Sequence, residues 1–290
     1  MMQNQPETIS PQPTLTIVKR LDDCWARYRA ELKRVRSEFA EEYVHDLRVA
    51  IRRLIAVVDM GRVVTGQKKI KKSQSLLKSH LDAFDHLRDT QVQLVIAEEI
   101  QSELPEIAVY IARLREREKK QSQHLEKRIK DFHSSRVSHQ VARLTDVLLA
   151  QNTPEAQTAI WAAVDAAYAR VVQRQRAVLP EDTTTIHRMR LAFKKFRYRV
   201  ELVYDLLPNA PEDLLRRLHD YQSAMGEIQD AEVGLQMLNE FMIRSHAEIP
   251  SVHARFVEMH QARIAAFLEQ ANDLQGFWRE TPEQPFPWEI

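Results

Sequence analysis

Glycine is scarce in this chain, because its 290 residues include only five glycines. An average share of about 7% would give about 20, so a fold that needs many tight turns or left-handed backbone positions is disfavoured. All-β sandwiches and doubly wound α/β folds are therefore poor candidates. None of the five glycines has the spacing of a Rossmann turn or a P-loop, which removes the commonest nucleotide-binding signatures.

Cysteine and long apolar runs are also lacking. The single cysteine, Cys24, cannot form an intramolecular disulfide bond, which fits a reducing cytoplasm. It lies beside Trp25 in a periodic apolar stretch, so we expect a buried and inert thiol. The N-terminal residues are polar and contain no apolar core of a signal peptide. No apolar run reaches about 18 residues, so we expect a cytoplasmic protein without a membrane span.

An excess of charge of one sign is absent overall but present locally. The chain has 42 Lys and Arg against 41 Asp and Glu, which gives a formal net charge of +1. Residues 187–199 nevertheless hold six Lys or Arg and no acidic residue, and residues 66–81 hold five lysines and no acidic residue. The near-zero net charge therefore conceals segregated basic segments, which is typical of an anion-binding surface.

Long stretches without proline or glycine predict an all-α fold. Internal prolines divide the chain into segments rich in Ala, Leu, Arg, Glu, Gln and Lys, which favour helices. Thr153 before Pro154, and Asp182 before the next segment, are typical helix N-caps. The predicted helices span 14–36, 40–60, 67–100, 106–150, 155–179, 184–207, 211–246 and 250–275.

Two pairs of matching motifs indicate an internal duplication. The segment 45–54 (HDLRVAIRRL) matches 187–196 (HRMRLAFKKF) at a shift of 142 residues, and 87–94 matches 228–235 at a shift of 141. Two repeats of four helices each predict two four-helix bundles related by a pseudo-twofold axis. We expect a disordered N-terminal tail at 1–13, repeats at 14–152 and 153–278, and a C-terminal tail at 279–290.

Each copy of the first motif combines an apolar arc with a basic stripe. At helical periodicity the apolar side chains face a core, and the basic stripes lie on the adjoining face. The stripes consist of His45, Arg48 and Arg52 in the first copy and of His187, Arg190, Lys194 and Arg197 in the second. Like charges one turn apart repel one another, so each stripe needs a counter-charge. Two sources remain open at this point: interhelix ion pairs from Asp89, Asp230, Glu232 or Glu201, or an external polyanion.

The residue types favour a polyanion that carries phosphates but no bases. Arg binds phosphate oxygens as a fork and Lys as a point charge. Proteins that bind single-stranded nucleic acids usually add aromatic stacking platforms. Phe193 and Phe196 belong to the apolar arc, and only Tyr198 lies outside it.

The paired motifs, followed in each half by Leu87-Arg88-Asp89 and Ile228-Gln229-Asp230, resemble those of the CHAD family, the conserved-histidine α-helical domain. The resemblance covers residues 14–275. It implies two pseudo-symmetric four-helix bundles that enclose a basic channel, and binding of inorganic polyphosphate without enzymatic activity. It also implies binding residues, namely His45, Arg48, Arg52, Arg53, His187, Arg190, Lys194, Lys195 and Arg197, with Arg88, Lys78 and His219 as additional candidates.

Two departures from the pattern concern the first repeat. Ile55 stands where the second repeat has Arg197, which predicts a weaker phosphate grip in the first half. Asp85 stands where the second repeat has Gly226, which leaves the local helix packing open.

Some residues of the sequence also match the patterns of other functions. Glu116, Glu118 and Lys120 match the strand motif of triphosphate tunnel hydrolases, but a helix would splay these side chains apart. Asp82, His86 and Asp89 share a helix face, yet packing is the preferred interpretation over a metal site. We therefore expect no catalysis, metal or cofactor. A nucleic-acid-binding helical module and a purely structural or interaction protein remain alternatives to a polyphosphate binder, for which location at polyphosphate granules is a further hypothesis.

Overall fold

Ten α-helices and no β-strand make up the part of the chain that the structure, a computed structural model, describes: residues 12–67, 70–132 and 134–290. The all-α prediction is confirmed. The helices are α1 (Pro13–Ser37), α2 (Glu41–Thr65), α3 (Lys71–Asp82), α4 (Asp85–Ile100), α5 (Ala108–Arg128), α6 (Ser135–Ala150), α7 (Pro154–Gln175), α8 (Thr183–Val203), α9 (Leu214–Ser245) and α10 (Pro250–Gln270).

Two helices begin at the predicted N-cap residues. The Thr153 side chain accepts a hydrogen bond from the Ala156 amide at the start of α7, and the Asp182 side chain accepts one from the Thr184 amide at the start of α8. These bonds satisfy amides that have no partner within the helix. None of the described helices has an apolar stretch long enough to cross a bilayer.

Two predicted helices are each broken in two, so the eight expected helices become ten. The segment 67–100 breaks at Ala83 and Phe84, between α3 and α4. The segment 106–150 breaks between α5 and α6, where the Arg36 guanidinium donates to the Phe132 carbonyl oxygen at 2.6 Å. Phe84 and Phe132 are both buried and pack edge to face. Neither break contains glycine or proline, so contacts distant in sequence determine both.

Two hydrophobic cores lie along the molecule, and both halves of the sequence contribute to each. The larger core is built mainly from α1, α2, α3, α6, α7, α8 and the first half of α9. The smaller core is built from α4, α5, the second half of α9 and α10. The two predicted repeats therefore share their buried surfaces, and α9 runs through both cores.

The C-terminal segment packs on the larger core. Phe286 is buried and stacks against Trp288, whose ring nitrogen donates to the Pro208 carbonyl oxygen at 2.9 Å. Arg279 forms an ion pair with Asp165 at 3.1 Å. The segment 279–290 is thus ordered against the helices. Most of the N-terminal segment 1–13 lies outside the described residues, and α1 begins at Pro13.

Candidate functional site

The basic stripes of α2 and α8 meet where these two helices cross. The predicted apolar arcs of both helices are buried, with Leu47, Ile51, Met189 and Phe193 fully inaccessible. This packing holds the adjoining basic faces against each other. Four cations, two from each helix, come close enough to perturb one another, and we call them the cationic cluster: Arg48, Arg52, Arg190 and Lys194.

Mutual repulsion in the cationic cluster appears in the pKa values of its members. Burial first, and then the charges of Arg52 and Arg190, lower the pKa of Lys194 to about 8. Burial and the Arg52 charge likewise lower the pKa of Arg48 to about 10. The pKa of Arg190 is also lowered, by burial first. The protein therefore holds these positive charges at an energetic cost.

Only one member of the cationic cluster has a carboxylate within ion-pair distance, counting all described residues. Arg48 Nη1 lies 3.2 Å from Asp85 Oδ1. Arg52, Arg190 and Lys194 have no such partner within 4.0 Å. In addition, Arg190 Nε is buried and has no hydrogen-bond partner. Three of the four cations in the cluster thus have no ion-pair partner among the described residues.

Of the two departures in the first repeat, Asp85 bears directly on this imbalance. Asp85, which differs from the second repeat, is the residue that pairs with Arg48. Its counterpart Gly226 lies against Arg190, because a Cβ atom at Gly226 would be 3.8 Å from Arg190 Nε and 3.9 Å from Arg190 Nη2. Ile55, which replaces the second-half Arg197, is half-buried and packs on the larger core.

Two of the carboxylates proposed as internal counter-charges border the cluster without neutralising it. Burial raises the pKa of Asp89, and the Asp85 charge raises it further. Burial also raises the pKa of Asp230, against the opposing charge of Arg190. Neither forms an ion pair within 4.0 Å with a described residue. Ion pairing between helices therefore does not account for the basic stripes at this point.

The motif histidines differ in their surroundings. His187 Nδ1 bonds to Gln229 Oε1, which makes Nδ1 the donor because the amide oxygen can only accept. His45 is exposed and forms no hydrogen bond with the described residues. Arg88 is exposed and near the cluster, since its charge lowers the pKa of Arg48.

A second group of predicted residues lines a separate cavity. This cavity has a volume of about 800 Å³ and lies between α1, α2, α8 and α9. Arg53, Arg197 and His219 line it. Arg197 is already satisfied, because its Nη1 lies 3.1 Å from Glu201 Oε1 and its Nε donates to Gln222 Oε1 at 2.9 Å.

Sequence reasoning missed the other charges of this cavity, which are Arg20, Arg27, Arg216, Asp23 and Asp46. The spacing of Arg20 and Arg27, seven residues apart on one face of α1, was the available signal. Cys24 also lines the cavity and is half-buried, and burial raises the pKa of its thiol to about 11. Its position agrees with an inert thiol.

Two remaining candidates lie apart from the cationic cluster. Lys195 is 3.4 Å from Asp59, which also binds Arg199 at 2.9 Å, so this cation belongs to a packing network. Burial alone would raise the pKa of Asp59, but hydrogen bonds from Arg62 and Arg199 and the Lys195 charge hold it well below its ordinary value. Lys78 is exposed on α3, and two lysines of its basic segment, at 68 and 69, lie outside the described residues.

The residues of the hydrolase-like triplet lie on α5, and the structure gives no metal-site arrangement among the described residues. Glu116 and Lys120 lie on α5 as an exposed ion pair at 2.6 Å, so the triplet with Glu118 is on a helix as predicted. Within the described ranges no group of three or more His, Cys, Asp or Glu side chains has the arrangement of a metal site.

The fold and the sequence both match known proteins. The CHAD domain model matches residues 19–239, about three quarters of the chain. A CHAD domain structure from the plant Ricinus communis covers 95% of this chain and 93% of its own, with a TM-score of 0.64 and 16% identity. PptA from Streptomyces chartreusis covers 90% of this chain and 96% of its own, with a TM-score of 0.58 and 16% identity. A comparison with curated protein sequences gives no match. The chain therefore belongs to the CHAD domain family.

Proposed function

We propose that this protein binds inorganic polyphosphate at the cationic cluster. The observation that carries the proposal is the charge imbalance of the cluster, where Arg52, Arg190 and Lys194 have no carboxylate within 4.0 Å among the described residues. Partly buried cations without counter-charges are costly, and a bound polyanion removes this cost. The relief of this unfavourable electrostatic free energy contributes to the affinity for the ligand.

A chain of phosphates suits this arrangement better than a single anion. Arg190 and Lys194 are one turn apart, about 6 Å along the helix axis, and α2 contributes Arg48 and Arg52 from the other side. One extended chain can therefore contact all four cations at once. Successive contacts add avidity, because each phosphate holds the next at high effective concentration.

The aromatic residues near the cluster favour polyphosphate over single-stranded nucleic acid. Phe193 and Phe196 are fully buried in the larger core. Tyr198 is 8% exposed and lies under the Arg197 guanidinium, 4.6 Å from ring centroid to Cζ. None of these three rings offers a free face on which a base can stack.

Binding without catalysis, in association with polyphosphate granules, is part of the same proposal. The clustered side chains are cationic groups suited to holding phosphate oxygens. The hydrolase-like triplet on α5 includes an exposed Glu116–Lys120 ion pair, one turn apart on a helix rather than on a strand. No step that breaks a phosphoanhydride bond follows from this arrangement.

Competition between polyanions tests the choice of ligand. Labelled long-chain polyphosphate is bound to the protein at about 150 mM salt, where weak binding by counterion release fades. Single- and double-stranded DNA and RNA are then added at equal phosphate concentration. We expect polyphosphate to stay bound. Displacement by any of the nucleic acids would contradict polyphosphate specificity, and no retention of either ligand would indicate a structural protein.

A double variant tests the site. Arg190→Ala with Lys194→Ala removes two charge-assisted contacts of about 1.5–3 kcal/mol each, so affinity should fall at least about a hundredfold. The matched control is Lys119→Ala with Arg143→Ala, which removes the same charges from exposed positions on α5 and α6. Circular dichroism should show unchanged helicity in both. Equal affinities of the two double variants would refute the site assignment.

A further inference from the structure

The two halves of the cationic cluster, which the predicted internal repeat relates, differ in the residue that lies against the arginine of each half. Arg48 and Arg190 are equivalent at the shift of 142 residues, and Asp85 and Gly226 are equivalent at the shift of 141. In the first half the carboxylate lies 3.2 Å from its arginine. In the second half the glycine leaves the arginine with a buried, unpartnered Nε.

Asp85 acts on two of the four cations in the cluster. It is the first residue of α4, and its side chain is 51% exposed while that of Arg48 is 8% exposed. Its negative charge raises the pKa values of Arg48 and Lys194 and that of Asp89. The Asp85 carboxylate already accepts from one N–H group of the Arg48 guanidinium. It therefore repels a second anion that approaches Arg48.

We propose that positions 85 and 226 set how strongly each half of the cluster holds a phosphate: Asp85 is a resident counter-anion that competes with the ligand for Arg48, whereas Gly226 leaves Arg190 open to it. The inference rests on the proposed function, because it assumes that the cluster is the polyphosphate site. It assigns the tighter phosphate contact to the second half of the cationic cluster.

Gly226 is also a position where a carboxylate can be introduced. It lies within α9 with ordinary helical backbone geometry, and an added Cβ would meet Arg190 at 3.8 Å, which is normal van der Waals contact. A carboxylate one bond further can therefore pair with this guanidinium. Gly226→Asp would build in the second half the ion pair that Asp85 forms in the first.

Reciprocal substitutions test the inference by titration of long-chain polyphosphate at about 150 mM salt. Asp85→Asn removes the competing charge and keeps the side-chain shape, so affinity should rise about fivefold, as for the loss of a half-exposed ion pair. Gly226→Asp should lower affinity about tenfold. Gly226→Asn fills the same space without adding a charge. Its affinity for polyphosphate should therefore stay within about twofold of that of the unchanged protein.

A charge-matched control separates a specific effect from a general one. Asp82→Asn removes one exposed carboxylate at the end of α3, and Asp82 forms no ion pair with the described residues. Its affinity should equal that of the unchanged protein. If Asp82→Asn tightens binding as much as Asp85→Asn, the gain comes from net charge and the inference is overturned.

Thermal melting gives a second readout. Without ligand, Asp85→Asn should melt at a lower temperature, since Arg48 loses its partner, and polyphosphate should raise its melting temperature more than that of the unchanged protein. If Asp85→Asn does not fold, Gly226→Asp alone decides. Binding by the unchanged protein with no effect of Gly226→Asp or Asp85→Asn would overturn the inference alone, whereas absence of binding by every variant would overturn the proposed function as well.

Discussion

Lys194 should couple polyphosphate binding to proton uptake. Without ligand its pKa is about 8, first because it is buried and second because Arg52 and Arg190 repel its charge. A bound phosphate chain brings negative charge into the same space and raises the pKa of Lys194 toward its ordinary value or beyond. The complex therefore holds a proton that the free protein releases above about pH 8.

The size of the effect follows from this pKa. At pH 7 Lys194 is charged in both states, so binding moves few protons there. At pH 9 about nine tenths of the free protein has a neutral Lys194, and affinity should be about tenfold lower than at pH 7. A tenfold loss corresponds to about 1.4 kcal/mol.

The same pKa predicts the pH dependence of stability without ligand. The unfolded chain keeps Lys194 protonated up to about 10.5, whereas the folded protein releases the proton from about 8. The unfolded state binds more protons in that window, so the Lys194 contribution to the free energy of unfolding rises with pH between these values. The penalty is fully present below pH 8, where the lysine is charged in both states.

Isothermal titration calorimetry in buffers of different ionisation enthalpy measures the coupled protons. At pH 8.5 we expect uptake of about 0.8 proton per site by the unchanged protein. The control is Lys194→Arg, which keeps the charge at all these pH values and should bind without this uptake. Equal proton uptake by both proteins, or constant affinity between pH 7 and 9, would refute the reasoning.

Two further predictions concern residues that stabilise the fold and lie outside the proposed binding site. Arg199→Ala removes a buried cation that pairs with Asp59 at 2.9 Å. It should lower the free energy of unfolding, measured in urea, by about 3 kcal/mol and leave the affinity for polyphosphate within about twofold. A large loss of affinity in the folded variant would contradict a structural role for Arg199. Gly234→Ala places a Cβ 2.3 Å from the Oε1 atom of buried Gln93; it should cost about 1–2 kcal/mol in the same assay, and Gln93→Ala in the same chain should recover part of that loss.

Much of the fold was predictable because it depends on local patterns. Segments without glycine and proline became helices, and the apolar arc of α8 is buried as its periodicity indicates, with Phe193, Phe196 and Val200 fully inaccessible. The breaks at Phe84 and Phe132 were not predictable. They arise where aromatic side chains pack between distant segments, and nothing in the local sequence marks them.

The candidate site was predictable in composition but not in arrangement. Helical periodicity placed Arg48, Arg52, Arg190 and Lys194 on one face of each helix, and the structure brings these four together. A list of basic residues does not show which of them are already neutralised. That depends on the ion pairs that form in the fold: Glu201, one turn further along α8, binds Arg197, and Asp59, on α2, binds Lys195.

Asp85 illustrates the limit of repeat matching. The alignment of the two repeats shows that Asp85 and Gly226 differ. It does not show that Asp85 reaches Arg48 across the α2–α4 interface, at 3.2 Å. Because of this difference, Arg48 is paired with a carboxylate and Arg190 is not. That result depends on how α4 and α9 pack near the cationic cluster, which only the three-dimensional structure gives.

A crystal structure of the protein with a bound long-chain polyphosphate tests the central claim most directly. We predict phosphate oxygens within hydrogen-bond distance, about 2.7–3.2 Å, of the Arg190 guanidinium and the Lys194 amine, with Arg52 contacting the same chain. Phosphates bound only in the cavity beside Arg53 and Arg216, or only on exposed lysines such as Lys78, would contradict the account.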